Sequence, residues 1–244
     1  MPLELKVLAG PDELAGAVAD RFLHRVGAAQ ARGEEPHVAL TGGTIAVEVH
    51  RAIATRAASH AIDWQAISFW WGDERFVAAD SEDRNARAAR SDLLDRVGAA
   101  RVLEVPSTAD AADVDAAAAA YSDLVRAEGA VEFDLVMLGL GPDGHVASLF
   151  PGFPQLDDQE HVAVPVTGSP KPPPERVSLT FPALNRTRAT WFLVSGAAKA
   201  EAVRRALADE GDLHDTPARG ISPTPASGAG ETVWFLDLAA ASKL

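Results

Sequence analysis

The chain has 244 residues, 47% of them apolar, no cysteine, and a formal net charge of −13. That length suits one large α/β domain or at most two small ones, and the apolar content is ample for a packed core and argues against disorder. Without cysteine there is no disulfide framework, thiolate nucleophile or cysteine-based zinc site, and an acidic chain lacking a basic stripe repels nucleic acid and anionic membranes.

Met1-Pro2-Leu3-Glu4-Leu5-Lys6 lacks the basic and long apolar regions of a signal peptide, and charges interrupt every apolar run well before the length of a membrane span. A cytoplasmic protein is expected. Residues 3–8 read as a first strand, and Asp12 is the expected N-cap of a helix with the apolar face Leu14, Val18, Phe22 and Val26, ending near Gly27 or Gly33. Residues 37–40 form a short buried-type strand, followed by Thr41-Gly42-Gly43-Thr44 and a helical pattern to about Ala58. A third strand over 66–71 ends in Gly72-Asp73-Glu74-Arg75, and a helix over 84–97 is stopped by Gly98. A strand at 102–105 and a helix at 111–128 precede the apolar run 135–138. Beyond it come strands at 161–166, 177–180, 189–195 and 232–236, a short helical turn near Ala183 and a helix over 197–208. The prolines of 168–176 exclude regular structure there, and 212–230 reads as a loop. Strand–helix alternation predicts an α/β fold: one domain over 1–244, a doubly wound, mostly parallel sheet flanked by helices, with a small antiparallel excursion in the second half.

Chemistry concentrates where strands end. After the run 135–138 the chain turns to Gly139-Leu140-Gly141-Pro142-Asp143-Gly144-His145, then Ser148-Leu149-Phe150-Pro151-Gly152. Glycines let a ligand approach the backbone, and His145 stands just beyond a strand's carboxyl end, where open α/β sheets bind ligands. Thr41-Gly42-Gly43-Thr44, between a strand and a helix, offers N–H groups and hydroxyls to an anion, but lacks the Gly-Lys-Ser/Thr ending of a nucleotide loop. There is no Gly-x-Ser-x-Gly elbow and no His-x-x-x-His, so neither a serine triad nor a metal is called for. Ser148 reads as a helix-start hydroxyl. Of only four lysines, Lys171 and Lys199 fall inside motif-like segments.

The stretch from Gly139 to Gly152 closely resembles the signature of 6-phosphogluconolactonases, whose superfamily also holds glucosamine-6-phosphate deaminases and isomerases. Three further segments support the resemblance: Thr41 to Thr44 with Ile45-Ala46 departing from the usual Thr-Pro ending, Trp71 to Arg75 with Asn85, and Pro170 to Thr180. Ser195 to Lys199 is similar to a fourth. The resemblance implies hydrolysis of a phosphorylated sugar lactone, 6-phospho-D-glucono-1,5-lactone, without cofactor or metal, by a monomer or small homo-oligomer. It implies His145 as general base, with Asp73 or Asp143 orienting the imidazole, and backbone N–H groups of the loop (Gly141, Gly144) or a nearby cation holding the oxyanion. It implies a phosphate held by Thr41, Gly42, Gly43, Thr44, Arg75, Arg176 and Lys199, with Lys171 in the same loop as Arg176. Two other readings remain. An amino-sugar-phosphate deaminase or isomerase is disfavoured by Ser148-Leu149-Phe150, where that family places an acid. A non-enzymatic sugar-phosphate sensor would need a helix-turn-helix, for which the N-terminal residues leave no room.

Overall fold

The computed structural model describes residues 3–128, 132–226, 228 and 230–244. Its centre is a parallel sheet of seven strands in the order β1-β10-β9-β6-β2-β3-β5. These are β1 (Leu3–Leu8), β2 (His37–Leu40), β3 (Ser68–Trp71), β5 (Arg101–Val102), β6 (Leu135–Leu138), β9 (Ala189–Val194) and β10 (Glu231–Asp237). Strands β3, β6 and β9 are buried along their whole length, as apolar runs of this length require when both faces are covered. Trp70, Trp71 and Trp191 fill the core, and the Phe192 and Trp234 rings stack at 3.8 Å.

From β2 the chain builds outward through β3 and β5, then crosses back so that β6 pairs with the other side of β2, Val38 opposite Leu135 and Ala39 opposite Val136. The order therefore reverses between β2 and β6. The loops leaving these two strands open side by side into the crevice where such sheets bind ligands. One is Thr41 to Thr44; the other begins at Gly139.

The small sheet is antiparallel, in the order β4-β8-β7, from β4 (Asp73–Arg75), β7 (Ala163–Val166) and β8 (Arg176–Leu179). Asp73-Glu74-Arg75 is thus a strand, not merely a charged strand end. Its pairing with β8 sets Asp73 opposite Ser178 and Arg75 opposite Arg176. Tertiary pairing here overrides a composition poorly suited to strands.

Helices α1 (Pro11–Ala31) and α2 (Thr44–Arg56) pack against each other. Gly10, not Asp12, is the N-cap of α1; Pro11 takes the first helical position, which needs no N–H, and Asp12 and Glu13 lie in the first turn. The helix at 84–97 is capped by Arg84 and broken into α3 (Asn85–Ala89), a π-turn (Arg90–Leu94) and α4 (Asp95–Val97). α5 (Val114–Ala127) starts later than the alanines suggest, because the Asp113 carboxylate accepts from the Ala116 N–H at 2.8 Å. α6 (Phe181–Asn185) is the short turn near Ala183. α7 (Ala200–Leu207) follows a 3-10 turn, Ala197–Lys199. β5 lies earlier than 102–105, and Pro217–Gly220 form a 3-10 turn inside the 212–230 loop. No described helix is long and apolar enough to cross a membrane.

Candidate active site

The loop leaving β6 folds tightly on itself. The Gly141 N–H donates to the His145 carbonyl and the Gly144 N–H to the Gly141 carbonyl, both at 2.9 Å. Gly144 has φ of 96°, and a Cβ there would lie 2.9 Å from Thr216 Cγ2. A Cβ on Gly141 would lie 2.0 Å from His145 Nδ1 and 2.2 Å from Asp143 Oδ1. Glycine is therefore needed at both positions, one for its dihedral angle and one for space. Since both N–H groups are engaged within the loop, Gly141 and Gly144 shape the site rather than offer donors to a ligand.

What this shape holds is a histidine–carboxylate pair. His145 Nδ1 and Asp143 Oδ1 are 2.6 Å apart, with the imidazole 4.5 Å from the Phe150 ring. Burial alone would raise the Asp143 carboxyl, but the hydrogen bond and charge of His145 outweigh it and draw the group down to about 2. The carboxylate is charged, so Nδ1 is the donor and Nε2 keeps its lone pair. Asp73, the other candidate partner, lies elsewhere. Its Oδ2 accepts from the Ser148 hydroxyl at 2.6 Å and stands 4.0 Å from Arg176.

No helix follows His145. Ala147 has a left-handed φ of 48°, and Leu149 N–H closes a turn on the Val146 carbonyl at 2.9 Å. Ser148 is therefore not a helix-start hydroxyl: the turn drives it fully inside, against Asp73. The αL conformation costs an L-residue roughly 1–2 kcal/mol, so surrounding contacts must hold it.

Arg176 is buried and donates to the carbonyls of Lys171, Pro172 and Pro173 at 3.1–3.2 Å, which fastens the proline-rich loop over the site. Burial lowers the Lys171 ammonium, and the field of Asp143 opposes that shift. Lys199 donates to the Leu140 carbonyl at 2.6 Å; burial and the charge of Lys171 lower it, while Asp143 raises it. Lys171 and Lys199 thus both stand in the field of Asp143, and Arg176 and Arg75 stand near Lys171, in a chain whose net charge is −13.

Thr41 to Thr44 lies between two clefts. Gly43 is the N-cap of α2 with φ of 97°, and no side chain caps the helix, so its first N–H groups are open to an anion. On one side a cavity of about 470 Å³ is lined by Gly42, Gly43, Thr44, Gly139, Ser195 and Lys199. On the other, a cavity of about 390 Å³ is lined by the same loop with Arg51, Arg75, Arg84 and Asn85. Lys199 and Arg75 therefore flank the loop rather than share one side. Ile45, at the departure from the usual motif, lines the Lys199 cleft, and Ala46 is buried.

Sequence reasoning missed several supports. The Glu74 carboxylate, fully buried, accepts the N–H groups of Arg75, Asn85 and Ala86 at 2.8–2.9 Å, and burial pushes it upward. The side-chain oxygen of Asn85 accepts from Arg75 at 2.8 Å and sits where a Gly42 Cβ would fall, 1.8 Å away. Asn85 thus ties Arg75 to the glycine loop, and its place in the Trp71 to Arg75 signature was the only hint. Glu48 lines both clefts without any such signal. Among the described residues no cluster of three or more His, Cys, Asp or Glu side chains could hold a metal ion.

Comparisons extend this geometry. The family model for glucosamine-6-phosphate isomerases/6-phosphogluconolactonase matches residues 9–234. A 6-phosphogluconolactonase of Streptomyces coelicolor is 40% identical over 255 residues, spanning 99% of this chain and 94% of that protein. The solved 6-phosphogluconolactonase of Trypanosoma brucei superposes with a TM-score of 0.85 at 27% identity, covering 100% of this chain and 99% of that one. A monomeric glucosamine-6-phosphate deaminase superposes at 0.81 with 20% identity, over 99% and 100% of the two chains, a likeness of fold alone.

Proposed function

The chain belongs to the glucosamine-6-phosphate isomerase and 6-phosphogluconolactonase family, and from that premise we infer that it hydrolyses 6-phospho-D-glucono-1,5-lactone to 6-phospho-D-gluconate, the lactone step of the oxidative pentose phosphate pathway. The observation that carries the reading is the His145–Asp143 pair at the end of β6, beside an anion-ready loop at the end of β2.

A lactone is a cyclic ester, and its opening needs a deprotonated water and a stabilised oxyanion but no covalent intermediate. In our assignment His145 takes a water proton at Nε2 as the oxygen attacks C1. The imidazolium, held by the charged Asp143, then gives that proton to the ring oxygen as its bond to C1 breaks. The developing oxyanion lies in the positive field of Lys171 and Arg176, because the Gly141 and Gly144 N–H groups are already engaged. The phosphate, remote from the bond broken, sits at the N-terminus of α2 between Lys199 and Arg75, and its binding positions C1. Asp73 acts through Ser148 and Arg176, setting the loop that carries Lys171. The same reading gives a cytoplasmic enzyme whose partner is a sugar phosphate, not nucleic acid.

The deaminase reading would place an acid near position 148. Here that position is a buried serine hydroxyl 2.6 Å from the Asp73 carboxylate, where a second negative charge would face the first. A substrate comparison tests both readings. The purified protein should open the phosphorylated lactone well above the enzyme-free rate, open unphosphorylated gluconolactone poorly, and release no ammonia from glucosamine 6-phosphate. Ammonia release would reverse the assignment, and equal kcat/KM on the two lactones would remove the phosphate site.

A further inference from the structure

Among the described residues, the exposed large apolar side chains are Leu3, Leu5, Val7, Leu238 and Leu244. Three of the five are alternate residues of β1, at 56, 46 and 46% exposure, so they project from one face of one strand. Leu238 directly follows β10, with its N–H on the Leu8 carbonyl at 2.9 Å, which sets it at the end of the same edge. β1 is itself an outermost strand of the large sheet, paired with β10 on one side only. Proteins usually blunt such an edge with charge on the exposed row, proline or a bulge. Here the exposed row is leucine, leucine and valine.

The order of residues on the strand selects the occupant. Leu3-Glu4-Leu5-Lys6-Val7 is complementary to itself when reversed about Leu5: Leu5 meets Leu5, Leu3 meets Val7, and Glu4 meets Lys6. Within one chain Glu4 and Lys6 stand 3.5 Å apart and Glu4 also holds Arg21 at 2.7 Å, but at 43% and 37% exposure both side chains can still be reached from outside. Opposite charges directly across an antiparallel pair stabilise it and like charges destabilise it. A one-residue slip would set Glu4 against Leu5 and break the apolar row, and an in-register parallel pairing would set Glu4 against Glu4.

We propose that two copies of this chain associate through β1, pairing antiparallel across a two-fold axis at Leu5, so that the seven-stranded sheet continues into its second copy. The apolar row becomes a ladder of six side chains on one face, and the other face carries two Glu4–Lys6 pairs related by symmetry. Leu3 also borders a hollow of about 250 Å³ with Phe192, Leu207 and Trp234, and Val7 of the second copy comes to lie over it. The surface belongs to a sheet edge, not to the crevice between β2 and β6, so the association is independent of the proposed chemistry.

Sedimentation velocity over a wide range of protein concentration tests this. The mass should rise with concentration from 25.6 kDa to twice that value. Leu5→Lys, which sets two ammonium groups together on the axis, should remain monomeric with an unchanged far-UV circular dichroism spectrum. Glu4→Lys and Lys6→Glu should each weaken association about tenfold or more, and an equimolar mixture of the two should recover it, since each supplies the charges the other lacks. That mixture answers even if Leu5→Lys proves unstable. A wild-type chain that stays monomeric throughout, a Leu5→Lys chain that pairs like wild type, or a mixture that stays apart would each overturn the proposal.

Discussion

A neutral imidazole can take a proton from water only at a nitrogen that keeps its lone pair, and the Asp143 carboxylate decides which nitrogen that is. Asp143 stays ionised down to about pH 2, so it accepts from Nδ1 and leaves Nε2 as the base. His145→Gln should therefore keep the fold and the affinity for 6-phosphogluconate while kcat falls about 10²–10⁴-fold, roughly 3–5 kcal/mol of barrier. The lactone also opens spontaneously, so each rate needs an enzyme-free control at the same pH. Asp143→Asn is the sharper variant. An amide nitrogen can donate to Nδ1, which would move the imidazole proton to Nε2 and abolish the base without removing the ring. We expect a large loss of kcat with KM nearly unchanged; wild-type kcat in a folded Asp143→Asn enzyme would show that the pair is structural only.

The glycine-rich loop shows which part of an element can be read from sequence. Its place after β6 was legible, because a buried apolar run that breaks into glycines can hardly be anything but a strand meeting a turn. β2, β3, β9 and β10 were legible for the same reason. The small antiparallel excursion was expected in the second half, but its first strand, Asp73–Arg75, comes from the first. The interior of the loop was not. Asp73 and Asp143 are equal candidates on paper, and only the fold brings one to 2.6 Å from His145 and sends the other to Ser148. The turn at Ala147 has no sequence code, since alanine disfavours positive φ, so a helix was expected where none forms. Asp73-Glu74-Arg75 became a strand because β8 pairs with it, again a long-range cause. Gly141→Ala tests how closely the loop is fitted. A Cβ 2.0 Å from Nδ1 must displace the ring, and the obstructing atoms belong to the working pair itself. Turnover should fall nearly as far as in His145→Gln, while 6-phosphogluconate binding, measured calorimetrically, stays within a few-fold. Near-normal kcat in Gly141→Ala would mean that the pair tolerates displacement and that its geometry is not what sets the rate.

For the molecule as a whole, pH acts in opposing directions, and one buried histidine makes a separable contribution on the acid side. His50, on α2 where that helix packs against the π-turn, is 2% exposed, and neither ring nitrogen has a hydrogen-bond partner among the described residues. Burial draws its imidazole down to about 4, against a weaker upward pull from Asp92. An unfolded histidine titrates near 6.5. Between those values the unfolded chain takes up a proton that the folded chain refuses, so stability falls as pH falls, by up to about 3 kcal/mol in all. His37, also lowered by burial, adds to the same trend. Three effects oppose it. The Glu74 carboxyl, pushed upward by burial, takes up its proton in the folded chain at a higher pH than in the unfolded one, so it adds stability as pH falls. His214, raised by hydrogen bonds to Asp157 and Asp212, contributes stability that is present at low pH and lost as pH rises through its folded value. The net charge of −13 also shrinks toward the sequence pI near 4.9, which relaxes self-repulsion. The wild-type curve alone is a sum of these effects, but a difference curve separates them. His50→Leu keeps a similar volume and carries no nitrogen to protonate, so above pH 7 it should match wild type within about 1.5 kcal/mol. Below about 6.5 the variant should gain on wild type by roughly 1.4 kcal/mol per pH unit, and the gain should level off near 4, where the folded imidazole itself protonates. Urea unfolding of both proteins across this range reads the difference directly. Parallel stability curves would mean that the His50 ring finds a partner in solution or that the folded chain protonates it at its ordinary value.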